Sequence, residues 1–148
     1  MSDNFKKNLD LALGNAKRLS NKILIDGKLI SAKSLNKIKV VNPSTGEQIG
    51  EAPQCDAHDV NTAVASAEIA FHKWKKIPAR ERGKMMTAAA RKLEERRDEI
   101  ETLLALDTGN ALRTQAKPET AASIELTHMF AGLAGEIKGE NYPPNIPN

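Results

Sequence analysis

The sequence predicts an α/β fold in which a small antiparallel sheet, or a set of hairpins, is followed by three to four helices. The first observation is a change of period. Up to about residue 53, short β-rich runs alternate with turn residues, whereas from Asp56 the apolar residues recur every 3.6 positions. The second is a pair of turn-forming runs, at 42–46 and 107–110, which end an extended segment and a long charged helix. At 148 residues the chain is long enough for one domain with a single core.

The first 21 residues predict a helical extension. Apolar residues recur at helical spacing over 2–20, and we expect this helix to dock on a neighbouring element. Two β-rich runs then flank Asp26 and Gly27, which suit the positive φ angles of a two-residue hairpin turn. A further run at 38–41 leads into Asn42 and Pro43. Proline cannot continue the strand ladder, so a turn is predicted before the returning strand at 48–52.

The rest of the chain predicts helices. Asp56 can cap the first of them, and Pro78 suits the first turn of the next. That second helix carries i,i+4 charge pairs, has a plausible break near Asp98 and is stopped by Gly109 in the left-handed conformation. The last helix is predicted over 119–137. Two apolar stripes are expected to pack, one on the first helix and one on the last: Val60, Ala63, Val64, Ala67, Ala70, Phe71 and Trp74, and Ala122, Leu126, Met129, Phe130, Leu133 and Ile137.

Composition argues against several classes of protein. A formal charge of +3 and an aromatic content of 3% are far from a nucleic-acid groove. No run approaches the ~18 apolar residues of a membrane span. A single cysteine rules out an internal disulfide framework and fits a reducing compartment, so a cytoplasmic location is expected.

Two groups of residues suggest chemistry but have simpler explanations. Cys55 lies just before a predicted helix, with His58 three residues on. We expect a small residue at a strand–helix junction rather than a nucleophile, because a reactive cysteine needs a positioned base and an oxyanion site. Trp74 lies among lysines, but it continues the apolar stripe of its helix, so a core or interface anchor is expected. His72 and His128 lack metal-ligand spacing.

The order of these motifs resembles the N-terminal region of the NAD(P)-dependent aldehyde dehydrogenases over about residues 22–142. The resemblance rests on the helix end Leu106-Asp107-Thr108-Gly109 and on segments at 25–28, 41–46, 59–60, 71–74, 78–82, 94–99, 130–135 and 138–140. It implies an incomplete portion of the cofactor-binding domain of that family. The domain boundaries expected are a helical extension at 1–21, the partial cofactor-domain region at 22–137, and an extended Pro-rich tail at 138–148 leading towards an oligomerisation arm.

The resemblance also implies an activity. In this family a cysteine attacks the aldehyde, a hydride passes from the thiohemiacetal to the nicotinamide, and a glutamate serves the hydrolysis of the thioester. The residues that do this lie C-terminal to the region represented here. No residue of this chain is therefore assigned as catalytic or cofactor-binding, and the chain alone is expected to bind no NAD or NADP and to be inactive. The complete enzyme is expected to take a small aldehyde and to be a homo-oligomer, with neither nucleic acid nor membrane as a partner.

Three residues correspond to family sites. The backbone carbonyl of Val41 and the carboxylate of Asp107 match a region where some members hold a monovalent cation, and oxygen ligands suit such an ion. Ala122 matches a position at the substrate entrance, although its place on the packing stripe favours a role in the core.

One alternative comes from another class of protein. The chain could be a self-standing helical interaction module without catalytic activity, which uses its apolar stripes to bind a partner. A dry interior with both stripes buried would favour the module, whereas an exposed apolar flank would favour an incomplete enzyme.

Overall fold

The computed structural model describes residues 3–141 and confirms the α/β fold class. An N-terminal helix is followed by two hairpins and then by the remaining helices. The strands are β1 (Lys22–Ile25), β2 (Lys28–Ser31), β3 (Lys37–Val41) and β4 (Gln48–Pro53). The helices are α1 (Asp3–Leu19), α2 (Ala57–Trp74), α3 (Ala79–Glu95), α4 (Arg97–Thr108) and α5 (Lys117–Leu133), with a π-helical turn at Leu112–Ala116 between the last two. Within this range no helix combines the length and the apolar character needed to cross a bilayer.

The strands form two separate antiparallel hairpins rather than one sheet. Strands β1 and β2 meet at the predicted turn, where Asp26 and Gly27 have φ angles of 51° and 70°. Strands β3 and β4 flank the second turn, in which the Asn42 side chain accepts a hydrogen bond from the Ser44 N–H at 2.9 Å. Positive φ angles at the turn positions explain why Asp-Gly closes the first hairpin.

Helix α1 docks on the body of the chain, as predicted. It packs against α4 and β4, and Ala12 is completely buried. At the α4 contact, the Asn15 side chain donates to Glu99 Oε1 at 2.7 Å. A buried carboxylate thus helps to hold the terminal helix.

The predicted break in the long charged helix is present between Glu95 and Arg97, but its chemistry differs from the prediction. Arg96, rather than Asp98, occupies the N-cap of α4, and no side chain caps it. Arg96 instead donates two hydrogen bonds to Glu99, at 2.9 and 2.6 Å, and so spans the break. These bonds raise the pKa of Arg96 above its usual value.

The charged segment at 91–101 is not exposed to solvent along its whole length, because Glu99 and Glu101 are buried. Glu101 lies 3.9 Å from Lys117 at the start of α5. The ion pairs along α3 and at the start of α4 have i,i+3 spacing rather than the predicted i,i+4 spacing: Lys84–Glu81, Lys92–Glu95 and Arg96–Glu99. Each predicted pair lies within one helix, Arg91 and Glu95 in α3 and Arg97 and Glu101 in α4, so the break does not separate them. Glu95 pairs instead with Lys92 at 2.6 Å, and Glu101 with Lys117.

Helix α5 packs within the described chain through a face other than its apolar stripe. Its buried residues are Thr120, Ile124 and Ala131, whereas the predicted stripe is exposed along its length. Helix α3 crosses α5 at Gly83, where a methyl group would lie only 2.6 Å from the Ala131 carbonyl oxygen. Backbone contact through small residues therefore selects the buried face. The helix also ends at Leu133, four residues before the predicted end.

Asp59 fixes the start of α2, a role that is not among the predictions above. With Asp56 it forms a capping box, and its carboxylate accepts from the Lys33 N–H at 2.8 Å and the Ser34 N–H at 3.3 Å. Asp59 is only 5% exposed, and these bonds, above all the one from Lys33, hold its pKa below the usual 3.8. Asp59 thereby ties the loop after β2 to α2.

Asp59→Asn should lower the melting temperature by about 4 °C at neutral pH, because the amide presents an N–H₂ group where acceptors are needed. The depressed pKa of Asp59 stabilises the folded state above pH 3.8, and this contribution is lost as the pH falls through the folded-state pKa. The difference between wild type and variant should therefore shrink in acid. Thermal unfolding followed by circular dichroism at several pH values measures this difference in melting temperature. Asp10→Asn, at an exposed position on α1, is the control. An equal loss of melting temperature in that variant would contradict the role of Asp59 in joining the loop after β2 to α2.

Candidate functional site

The two turn-forming runs come together in space. Gly109 ends α4 with a φ of 73°, and a methyl group there would lie 3.2 Å from Pro43 Cβ and 3.5 Å from Ser44 Oγ. Val41 immediately precedes this turn at the end of β3, and Asp107 lies two residues before Gly109. The structure thus places both predicted cation ligands at one junction.

Asp107 lines a cavity of about 450 Å³ between α1, the second hairpin and α4. Most of the surrounding side chains are apolar, among them Leu19, Val40, Ile49 and Leu104. Glu51 also lines the cavity, but Lys37 donates to its carboxylate at 2.8 Å and lowers its pKa. Asp107 itself is exposed, two residues before Gly109.

One carboxylate and one backbone carbonyl are a partial ligand set for a monovalent cation. Residues 3–141 contain no group of three or more His, Cys, Asp or Glu side chains that could hold a metal ion. Coordination by Val41 and Asp107 stays a prediction.

The residues considered for catalysis do not form a reactive centre. Cys55 is exposed, and so is His58. His128 lies 3.8 Å from Glu94, and His72 packs its ring beside Phe71 with the centroids 6.0 Å apart. Within residues 3–141 none of His58, His72 and His128 hydrogen-bonds the Cys55 thiol, so this thiol lacks the positioned base that activates a nucleophile.

Ala122 lies outside the core of the described chain, contrary to the expected core role, whereas the exposure of Trp74 is compatible with the interface alternative of its prediction. Ala122 is exposed on α5, two residues from the buried Ile124. Trp74 is 41% exposed at the end of α2. A role for Ala122 at a substrate entrance stays a prediction.

The described residues contain no phosphate-binding turn of the strand–helix kind. A phosphate-binding turn follows a strand of a parallel sheet and leads into a helix. Both sheets here are antiparallel, and the glycines with positive φ (Gly27, Gly46 and Gly109) lie in two hairpin turns and at the end of α4. The backbone at 3–141 therefore offers no such cradle.

The roles of Asp59 and Gly83 are not among the predictions made from the sequence. Acidic residues three apart at the start of α2 are a capping-box signal, so Asp59 could have been found. Gly83 carries no local signal, because its role depends on a helix nearly fifty positions away.

Comparison with known proteins identifies the family. The model of the aldehyde dehydrogenase family matches residues 29–148, most of the chain. The chain belongs to the aldehyde dehydrogenase family. The mitochondrial benzaldehyde dehydrogenase of Antirrhinum majus is 35% identical over 130 residues, which cover 86% of this chain and 24% of that protein. The cytosolic 10-formyltetrahydrofolate dehydrogenase of Homo sapiens is 32% identical over 130 residues, covering 86% and 14%.

Solved structures share the fold described above. Betaine aldehyde dehydrogenase from Staphylococcus aureus, solved with NAD+, superposes with a TM-score of 0.84 at 30% identity and covers 95% of this chain. HpcC from Thermus thermophilus gives a TM-score of 0.86 at 23% identity over 94% of the chain, and shows the fold alone. The match takes up 28% and 27% of those two chains. This chain thus spans about a quarter of the length of these solved structures.

Proposed function

We propose that the chain supplies one part of an NAD(P)-dependent aldehyde dehydrogenase. The reaction would convert an aldehyde, water and oxidised cofactor into a carboxylic acid, reduced cofactor and a proton. The observation that carries this proposal is the family match over residues 29–148. A relative solved with NAD+ that covers 95% of the chain supports the choice of cofactor class.

The contribution of this chain to that reaction would be structural. The exposed Cys55 and the antiparallel pairing of both hairpins support this proposal. Since the chain covers 24% to 28% of several relatives, the nucleophile, the base and the cofactor turn would come from polypeptide outside the match.

The exposed apolar residues favour this function over a self-standing module. A module would be expected to bury its stripes internally, but Val64, Phe71, Met129 and Phe130 are each at least half exposed. Exposed apolar side chains on two helices support the incomplete enzyme, because such surface is costly to leave in water.

The purified 148-residue chain should therefore reduce no NAD+ or NADP+ with any aldehyde. Absorbance of the reduced cofactor measures this, with aliphatic, aromatic and betaine aldehydes as substrates. Intact Staphylococcus aureus betaine aldehyde dehydrogenase, assayed with betaine aldehyde, serves as the positive control. Turnover by the chain alone, proportional to its concentration, would contradict the proposal.

A cytoplasmic location and homo-oligomeric assembly belong to the same proposal. The single, exposed cysteine supports a reducing compartment. Of the Pro-rich tail predicted at 138–148, residues 142–148 lie outside the described residues.

A further inference from the structure

Helix α2 is almost unpacked for most of its length. It has 18 residues, and its only buried one is Asp59, in the first turn. The other contacts that position it are with β1 and the loop after β2. Isolated helices of this length are marginal in water, since most helical stability in proteins comes from packing an apolar face.

One side of α2 is a continuous apolar surface. Residues 60, 64, 67, 71 and 74 recur at intervals of three and four and so share a face of the helix. We call this face the α2 stripe. Val60, Val64, Phe71 and Trp74 in it are 52%, 61%, 56% and 41% exposed. Lys75 lies over the Phe71 ring at 5.4 Å from the ring centroid and shields part of it.

The solved relatives show that the matched region belongs to a longer polypeptide. The superposition on betaine aldehyde dehydrogenase leaves 5% of this chain unmatched, about seven residues, so most of α2 lies inside the match. In that structure the matched region is 28% of a longer chain. Helix α2 thus resembles a helix that exists within a much larger folded polypeptide.

We infer that the α2 stripe is the docking surface for the part of an aldehyde dehydrogenase polypeptide outside this matched quarter, and that it binds this part when it is supplied as a separate chain. The inference rests on the proposed function. The partner surface must be apolar opposite Val64 and Phe71, because the stripe has no charged member to pair with. Lys73, Lys75 and Lys76 flank Trp74 at the end of α2. Acidic groups of the partner at this rim of the stripe would complement their charge.

Trp74 provides a direct readout, because it is the single tryptophan of the chain. The chain is labelled with fluorotryptophan, which gives one fluorine NMR resonance at the end of the stripe. The probe is the unlabelled part of Staphylococcus aureus betaine aldehyde dehydrogenase outside the match, produced as a separate polypeptide. Binding should shift the Trp74 resonance in a saturable way.

Two matched variants test the face. Val64→Asp and Ile69→Asp each place a carboxylate on α2. The two side chains are almost equally exposed, at 61% and 62%, but they lie on opposite sides of the helix. Val64→Asp should weaken binding at least about tenfold, since it would bury an unpaired charge. Ile69→Asp should change binding less than about twofold, with the same loss of helix propensity.

Other outcomes overturn the inference. Absence of a saturable shift, or equal weakening by both variants, would show that the stripe does not bind this partner. A chain that sediments alone as a dimer, and becomes monomeric only with Val64→Asp, would assign the stripe to a second copy instead.

The same sample separates this inference from the proposed function. A complex that is sensitive to Val64→Asp but inactive on betaine aldehyde would keep the docking surface and count against the proposed function. A complex that is active on betaine aldehyde and that neither variant weakens would support the proposed function and count against the docking surface.

Discussion

Gly83→Val should destabilise the chain by about 3 kcal/mol, because two helices meet backbone to backbone at this residue. Gly83 is buried on α3. A Cβ atom added there would lie 2.6 Å from the Ala131 carbonyl oxygen and 3.1 Å from Ala134 Cβ. Neither neighbour is the end of a flexible side chain, so α3 and α5 would have to separate. Urea unfolding followed by circular dichroism measures the change.

Gly14→Val is the matched control for the same substitution. Gly14 also lies within a 17-residue helix, α1, but a methyl group there meets no atom within 4 Å. The change should be less than about 0.5 kcal/mol, because valine has the better helix propensity. Similar losses at the two glycines would show that the helix crossing does not depend on Gly83.

The features that could be predicted from the sequence are those whose cause lies within a few residues. Asp26-Gly27 closes a hairpin and Gly109 ends α4, because each requires only a positive φ angle at its own position. Asp56 caps α2 through the amide of Asp59, three residues on. Such local causes can be read directly from the order of residue types.

The features that could not be predicted depend on partners far away in the sequence. Ala131 is buried because Gly83 permits close approach, and Glu99 is buried because α1 lies over it and donates through Asn15. Hydrophobic periodicity alone could not find the buried face of α5, since the apolar stripe and the packed face are different sides of the helix. An apolar stripe indicates a surface that seeks a partner, but the partner need not be in the same quarter of the fold.

The candidate site shows the same division. The turn at 42–46 and the end of α4 could be predicted as separate turns, and the resemblance to the family paired Val41 with Asp107. Their proximity through Pro43 and Gly109 is a tertiary contact that no local pattern encodes. The cavity beside Asp107 likewise exists only because α1 folds back over β4 and α4.

Ile124→Ala should cost about 3 kcal/mol, because Ile124 is the largest side chain of the described core that is almost fully buried, at 2% exposed. It lies on α5, whose neighbours are α3, α4 and the π-helical turn, so the cavity created would lie where these elements meet. The free energy of unfolding in urea gives the magnitude.

Leu126→Ala is the control that distinguishes the two faces of α5. Leu126 is two residues away and 49% exposed, so its truncation should cost less than about 1 kcal/mol in the chain alone. Equal costs would mean that Leu126 is packed, and the exposed face of α5 would then be part of the core. A small cost at Leu126 beside a large one at Ile124 would establish that α5 packs through Ile124 and leaves its wider apolar side for polypeptide beyond this chain.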